Sequence, residues 1–239
     1  MKALLKSAPN EPQSAFLPGR LGLWLVLLVV SALLSTGTSA AGLVEWHRVF
    51  KPLTMVFAIA FVAARAQAEP SGKGFYLNLS IALLLSMLGD IALMFPGYFI
   101  PGLVAFLLAH LAYIRLFKRD VSWFPSRPAL AATLAVGLAM YAFLWVGGLP
   151  PGLRIPVAAY VLVIALMAAQ AFGRARAIGD QASMWVAVGS ASFMLSDSLL
   201  ATNRFVSPLP LSQVWVLSTY YIAQTLITVF VRPALASRG

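Results

Sequence analysis

Residues 75–95 read FYLNLSIALLLSMLGDIALMF, an apolar run that contains a single carboxylate, Asp90. About 20 apolar residues in a helix are enough to cross the hydrocarbon core of a bilayer. Inside that core a spanning segment has to pair its own backbone polar groups, and a helix does so within the segment. The stretch therefore predicts a membrane-spanning helix that carries an acidic side chain into the bilayer.

Runs of this kind recur along the whole chain. Hydrophobic residues make up 61% of it and charged residues 10%, whereas a typical soluble domain is about 25% charged. Breaks rich in Pro and Gly separate the runs, so we predict an all-α polytopic membrane protein with about eight transmembrane helices. The predicted helices cover residues 21–38, 49–66, 75–95, 98–117, 128–147, 153–172, 182–203 and 212–231.

The predicted organisation is one membrane domain with two short ends. Residues 20–232 are expected to form the eight-helix transmembrane domain, and residues 233–239 a short C-terminal tail. Residues 1–19 are polar and contain Pro, so we expect a flexible cytoplasmic N-terminal segment. No connection between the helices is long enough to separate two soluble domains.

The net charge of +10 fits contact with the bilayer rather than with a nucleic acid, because basic loops orient membrane helices and meet anionic headgroups. Alternate loops divide the 17 Lys and Arg residues unevenly. One side of the membrane receives only Arg48, Lys51, Arg154 and Arg204. The asymmetry predicts a multi-pass protein of the cell (inner) membrane with both termini cytoplasmic.

A second carboxylate, Asp197, lies in a similar context, FMLSDSLL at residues 193–200. The chain has only seven Asp and Glu residues in total. A charged side chain at the centre of a membrane helix costs about 2.5–3.5 kcal/mol on insertion scales. Two such residues favour a functional site. The alternative is that each carboxyl forms hydrogen bonds to groups near it on its own helix. Ser86, one turn before Asp90, could form such a bond.

The two carboxylates also hint at an internal duplication. The spacing between Asp90 and Asp197 equals that between Tyr113 and Tyr220, which indicates either a parallel 4+4 repeat or a chance match of Leu-rich helices. In the predicted topology both carboxylates lie at the same depth in the outer half of the bilayer. If helices 3 and 7 are neighbours, the carboxyls could face each other. Two nearby carboxyls do not both ionise easily, which suits an acid–base pair.

Other polar side chains allow two interpretations each. Lys51, Asn203 and Arg204 either contact a phosphate headgroup or anchor helix ends at the interface. Lys51 could also lower the pKa of a carboxylate at the outer mouth. His110 shares a helix face with Tyr113, and a membrane-buried His is as well suited to function as to structure.

The last predicted helix carries a polar patch of Tyr220, Tyr221 and Gln224, which either helix–helix hydrogen bonds or substrate contacts explain. The chain has no Cys, which excludes disulfides and thiol nucleophiles. It also lacks a zinc motif, a Gly-rich phosphate loop and a nucleophile elbow. We expect neither a metal nor a cofactor.

In their order along the chain, these residues resemble the YhhN family, whose characterised members are lysoplasmalogenases. The resemblance covers residues 51–231, and the extended N-terminus lies outside it. Its elements are Lys51-Pro52, Leu88-Gly89-Asp90, the Gly102/Phe106/His110/Tyr113 spacing, Gly189, Phe193, Ser196-Asp197, Phe205, Tyr221 and Gln224.

The resemblance implies hydrolysis of the vinyl-ether bond of a lysoplasmalogen, giving a fatty aldehyde and glycerophospho-ethanolamine or -choline. Asp90 and Asp197 would jointly supply the acid and the ionised partner. His110 would position a carboxyl or a water. The residues expected to contact the lipid are Lys51, Tyr113, Ser196, Asn203, Arg204, Tyr221 and Gln224.

Three other functions use similar residues. A proton- or cation-coupled transporter also needs membrane carboxylates. An intramembrane aspartyl protease pairs two helix-borne aspartates, but its Gly-x-Gly-Asp motif is incomplete here, because residue 87 is Met. A lipid-binding scaffold would tolerate the loss of either carboxyl.

Overall fold

The computed structural model describes residues 19–233. Within this range the chain forms eight α-helices and no β-strand, which confirms the predicted all-α class. The predicted N-terminal segment and C-terminal tail lie almost wholly outside the described residues. The helices are α1 (Gly19–Ala40), α2 (Val44–Ala68), α3 (Lys73–Leu93), α4 (Phe99–Phe117), α5 (Arg127–Val146), α6 (Arg154–Ile178), α7 (Gln181–Phe205) and α8 (Ser212–Phe230).

Seven of the described helices, α1 to α7, are long and apolar enough to cross a membrane. The eighth, α8, is less apolar because polar side chains lie along it, Gln213 and Gln224 among them. It packs along α7 and also contacts α1 and α2. Its residues Tyr220, Tyr221 and Gln224 are buried, so part of the polar side of α8 faces the bundle.

The helix ends agree with the predicted ones to within a few residues, except at the start of α2 and the end of α6. We expected α2 to begin at residue 49, but it begins at Val44. We expected α6 to end near residue 172, but it continues to Ile178. Gly173 lets the helix pass close to the loop between α4 and α5, since a Cβ there would lie 2.7 Å from a Pro125 side-chain carbon. Gly179, with φ of 76°, ends the helix in the left-handed conformation.

The helices pack mainly against their sequence neighbours. The chief long-range contacts join α4 to α6 and α1 to α8. Among the described residues, α3 and α7 make no extended contact with each other, so the two helices that carry the carboxyls are not packed as neighbours. The structure does not confirm the 4+4 repeat either.

An aromatic cluster stands where α3 and α7 would have met. The rings of Phe106, Phe193 and Tyr220 lie 5.4 to 6.1 Å apart and pack edge to face, a favourable geometry for aromatic pairs. Gly89 makes room for it, because a Cβ at that position would lie 2.5 Å from the Phe106 ring. Asp90 follows immediately, so the glycine fixes how closely α4 approaches the carboxylate.

Buried arginines close the end of the bundle opposite the carboxylates. Arg65 donates hydrogen bonds to the backbone oxygens of Thr228, Val229 and Val231, which α8 leaves unpaired at its C-terminus. Arg174 forms an ion pair of 2.7 Å with Asp120. These contacts stabilise the chain end and the helix connections there.

Asp180 lies between α6 and α7 at the same end and caps α7. Its carboxylate accepts a hydrogen bond of 2.7 Å from the Ser183 backbone N–H. Burial acts to raise the pKa of Asp180, but the hydrogen bonds from Ser183 and the charge of Arg174 outweigh it, and the pKa is lowered. The cap is therefore strongest with the carboxylate ionised.

Candidate functional site

Asp90 and Asp197 line one cavity of about 380 Å³ at the end of the bundle away from the buried arginines. Its walls come from α1, α2, α3, α4, α7 and α8, and they are partly polar. The polar lining residues are Ser39, His47, Arg48, Lys51, Asp90, Ser196, Asp197, Gln213 and Tyr220. Although α3 and α7 are not packed together, both carboxyls can therefore contact one ligand.

Asp90 is the more enclosed carboxylate, with only 2% of its surface exposed. Its Oδ1 lies 3.1 Å from Lys51 Nζ, and its Oδ2 accepts a hydrogen bond of 2.5 Å from the Tyr220 hydroxyl. Both oxygens are thus engaged. A buried carboxylate requires such partners, since an unpaired charge there would be very unfavourable.

A series of hydrogen bonds continues from Tyr220 into the bundle. The Gln224 side-chain amide donates to the Tyr220 hydroxyl, over 3.3 Å. The Tyr113 hydroxyl in turn donates to Gln224 Oε1, over 2.7 Å. Tyr113 and Gln224 line neither this cavity nor the apolar one described below, so they act on Asp90 through Tyr220 and do not contact a ligand there.

Asp197 has different partners. Its Oδ2 accepts a hydrogen bond of 2.5 Å from Tyr160 of α6, and its Oδ1 has no hydrogen-bond partner among the described residues. No Lys or Arg within that range forms an ion pair with it. Its side chain is 20% exposed.

His110 lies beside this second carboxyl. Its Nε2 is 2.9 Å from the Tyr160 hydroxyl and 3.7 Å from Asp197 Oδ2. Because Tyr160 donates to Asp197, its oxygen is free to accept a hydrogen bond from His110. The sequence predicted that His110 positions a carboxyl or a water, and in the structure Tyr160 joins it to Asp197.

A second, apolar cavity meets the first one at Asp197. Leu93, Phe106 and Leu200 line both cavities as well. The remaining walls of the apolar cavity come chiefly from α5, α6 and α7, and include Met140, Val157, Val161 and Met194. Asp197 therefore stands at the boundary between a polar and an apolar compartment.

The other residues singled out in the sequence fall in several places. Ser196 lines the polar cavity, and its hydroxyl donates to the Val216 backbone oxygen over 2.9 Å. Arg204 lines the apolar cavity and lies 4.2 Å from the Phe99 ring centroid.

Asn203 lines neither cavity, and its Oδ1 accepts a hydrogen bond from the Leu209 N–H over 2.9 Å. Tyr221 also lies outside both and bonds to Ser35 of α1 over 2.7 Å.

Sequence reasoning missed four residues of the site. Tyr160 resembles any tyrosine of an apolar helix until α6 and α7 are packed together. Gln213 lies in the first turn of α8. His47 precedes Lys51 by one helical turn, so its place on the same face of α2 was a usable signal, and Arg48 is its neighbour. Among the described residues, no group of three or more His, Asp or Glu side chains is placed to hold a metal ion.

Comparison with known proteins supplies an independent line of information. The model of the YhhN family matches residues 46–231. The human lysoplasmalogenase TMEM86B is 38% identical over 160 residues, which cover 67% of this chain and 65% of the human protein. The lysoplasmalogenase of Mycobacterium bovis is 32% identical over 209 residues, or 84% of this chain and 76% of that protein. No solved structure matches the chain.

Proposed function

Since the chain belongs to the YhhN family, we propose that it hydrolyses the vinyl-ether bond of lysoplasmalogens. The products are a fatty aldehyde and glycerophospho-ethanolamine or -choline. Similar proteins carry the name lysoplasmalogenase. The observation that carries the proposal for this chain is the position of Asp197 at the boundary between the polar and the apolar cavity.

The two compartments suit a lipid with one chain. The polar cavity offers Arg48 and Lys51 to a phosphate, and charge-assisted hydrogen bonds to phosphate are strong. The apolar cavity is smaller, about 70 Å³, and its apolar walls suit the part of the hydrocarbon chain next to the headgroup. Burial of this part is favourable by about 0.8 kcal/mol for each CH₂. A vinyl-ether group joins headgroup and chain, so a lipid bound in this way brings its reactive bond beside Asp197.

The apolar cavity also offers the chain a route from the bilayer. Leu144, Met140 and Val136 share one face of α5 and all line this cavity. Leu144 is 1% exposed, whereas Val136, near the middle of the helix, is 57% exposed. The cavity is thus closed near the outer end of α5 and opens towards lipid at its middle, where an alkyl chain can enter sideways.

The hydrogen-bond partners support different roles for the two carboxyls. Hydrolysis begins when a proton is added to the alkene carbon remote from the ether oxygen, which gives an oxocarbenium ion. Asp197 is suited to deliver this proton, because its Oδ1 is free among the described residues and it adjoins the apolar cavity. Asp90, paired with Lys51, is suited to remain charged and stabilise the cation.

The expected setting is the inner membrane, with both termini cytoplasmic and the cavity facing outward. Arg48, Lys51 and Arg204, from the side with few basic residues, lie at the cavity end of the bundle. Reporter fusions at the two termini test the orientation. An extracytoplasmic C-terminus would reverse it.

The function is tested with purified protein and three lysophospholipids of equal chain length, which carry a vinyl-ether, a saturated-ether or an ester bond. We expect aldehyde from the vinyl ether alone. In D₂O the aldehyde should carry one deuterium on the carbon next to the carbonyl, because solvent hydrogen is added there. Absence of aldehyde from both ethanolamine and choline forms would overturn the proposal, and lipid flux into proteoliposomes without product would favour a transporter.

A further inference from the structure

We propose that His47 is a further catalytic residue, the general base that takes a proton from the attacking water. The inference rests on the hydrolysis proposed above. It starts from a hydrogen bond that fixes the proton position on the His47 ring. Nδ1 lies 3.0 Å from the Ser35 backbone oxygen, which can only accept. Nδ1 also lies 3.3 Å from the Ser35 hydroxyl, but the carbonyl oxygen is the nearer partner, so we assign the hydrogen to Nδ1 as its donor.

This tautomer leaves Nε2 with a lone pair. A neutral imidazole whose Nδ1–H is held by a carbonyl presents Nε2 as an acceptor. His47 lines the polar cavity, and its Nε2 has no hydrogen-bond partner in the part of the chain that the structure describes. His47 Nε2 is thus available as a base in the polar cavity, which both carboxyls also line.

Ser35 acts as a positioning residue. Its hydroxyl lies 3.3 Å from His47 Nδ1 and 2.7 Å from the Tyr221 hydroxyl. The contact joins α1, α2 and α8 around the imidazole. Helix α1 lies before the region that the family model matches, so a helix outside that region orients a group at the site.

Several charged or titratable groups face the same cavity and share its electrostatics with His47. Arg48 and Lys51 belong to the same helix and disfavour a second positive charge. The carboxyls of Asp90 on α3 and Asp197 on α7 favour it. On α8, the hydroxyl of Tyr220 bonds to Asp90. The proton accepted by His47 therefore lies in a cavity that contains two acidic groups.

With His47 as the base, every proton that a protein group gives or accepts during the reaction is returned by its end. Asp197 gives its proton to the alkene carbon. Water forms a bond to the oxocarbenium carbon and loses a proton to His47 Nε2, which gives a hemiacetal. The hemiacetal hydroxyl returns a proton to Asp197 as its carbon–oxygen bond to the glycerol breaks. His47 gives its proton to the departing glycerol oxygen, so both groups regain their first state.

A pair of variants separates this role from a structural one. His47→Asn keeps a side-chain N–H for Ser35 and lacks the ring nitrogen at Nε2, so aldehyde release should fall about a hundredfold with little change in KM. The wild-type rate should fall at acid pH, because a protonated His47 cannot accept a proton from water. This fall should be absent in His47→Asn. In His47→Ala, added imidazole should restore about a tenth or more of the lost activity. Thr36→Ala, which removes only the hydrogen bond from the Thr36 hydroxyl to the Ala32 backbone oxygen within α1, is the control and should keep the wild-type rate.

The outcomes are distinct. If wild type releases aldehyde and His47→Asn matches it, the base role is overturned and the hydrolysis stands. If wild type releases none, both fail. Nitrogen NMR of the wild-type protein labelled at histidine adds a test that does not depend on a variant's folding. It should find the hydrogen of neutral His47 on Nδ1, and its location on Nε2 would overturn the inference.

Discussion

Asp90 and Asp197 line one cavity but occupy contrasting surroundings. Asp90 is almost fully enclosed and uses both oxygens, one for Lys51 and one for Tyr220. Asp197 is partly exposed, is bonded to Tyr160 through one oxygen, and adjoins the apolar cavity. Two carboxyls in similar sequence contexts have thus acquired different partners.

In the proposed mechanism the two acids therefore have different tasks. Lys51 places a positive charge 3.1 Å from Asp90, which fits the role of the charged partner. Asp197 accepts one hydrogen bond, from Tyr160, and its Oδ1 has no partner among the described residues, which fits the role of proton donor. The contrast arises from the helices that pack against each acid: α2 and α8 supply the partners of Asp90, and α6 and α4 supply those of Asp197.

The largest expected effect concerns the rate. Asp197→Asn should lower aldehyde release about a thousandfold and Asp90→Asn about a hundredfold, because the first removes the proton donor and the second removes a stabilising charge. Both variants should still bind a saturated-ether analogue. The measurement is steady-state aldehyde release. A larger loss from Asp90→Asn would reverse the assigned roles.

The next effect concerns stability. Lys51→Met leaves Asp90 buried without its cation and should lower the free energy of unfolding by about 3–5 kcal/mol. Adding Asp90→Leu to Lys51→Met should recover most of the loss, since no unpaired charge then remains. Unfolding in detergent measures both. Arg204→Met, which removes an exposed cation stacked on Phe99, is the control and should change stability by less than about 1 kcal/mol. A Lys51→Met variant as stable as wild type would show that the ion pair is unimportant.

The two phenols sharpen the same contrast on a smaller scale. Tyr160→Phe should reduce the rate about tenfold, corresponding to about 1.4 kcal/mol, because Asp197 loses its one hydrogen-bond donor among the described residues. Tyr220→Phe should reduce it less, since Asp90 keeps Lys51. Tyr141→Phe, whose hydroxyl bonds to a backbone oxygen of Arg154, is the matched control. Equal losses for Tyr160 and Tyr220 would remove the distinction between the carboxyls.

The smallest effect lies at the opposite end of the molecule. Asp180→Ala should lower the free energy of unfolding by about 1 kcal/mol and leave the rate unchanged, because it removes only the α7 cap. The folded-state pKa is lowered from 3.8, so the capping contribution is complete well above that pH and is lost as the pH falls below it. Unfolding measured at neutral and acid pH checks this. A loss of activity at neutral pH would link this end to the site.

Part of this picture followed from the sequence. Asp90 and Asp197 were identifiable because a carboxylate within an apolar helix is unfavourable without a reason. The eight helices followed from their apolar runs and their Pro and Gly breaks. Lys51 was recognised as a residue that could anchor a helix end, bind a phosphate or act on a carboxylate, and the structure pairs it with Asp90.

The rest depends on packing that the sequence pattern does not encode. Hydropathy gives the spans but not which helices are neighbours, so the separation of α3 from α7 by Phe106, Phe193 and Tyr220 was not foreseeable. Tyr160 had no distinguishing local context. The end of α6 was placed six residues too early, and Gly173, just beyond the predicted end, permits close contact with Pro125.

The most direct test of the central claim, that both acids act on one lipid in one cavity, is a double-mutant cycle. Aldehyde release is measured for wild type, Asp90→Asn, Asp197→Asn and the double variant. Groups that act as a unit are strongly non-additive, so the double variant should be at most about tenfold slower than Asp197→Asn. A double variant that shows the full product of the two single losses, or a single variant with the wild-type rate, would contradict the claim.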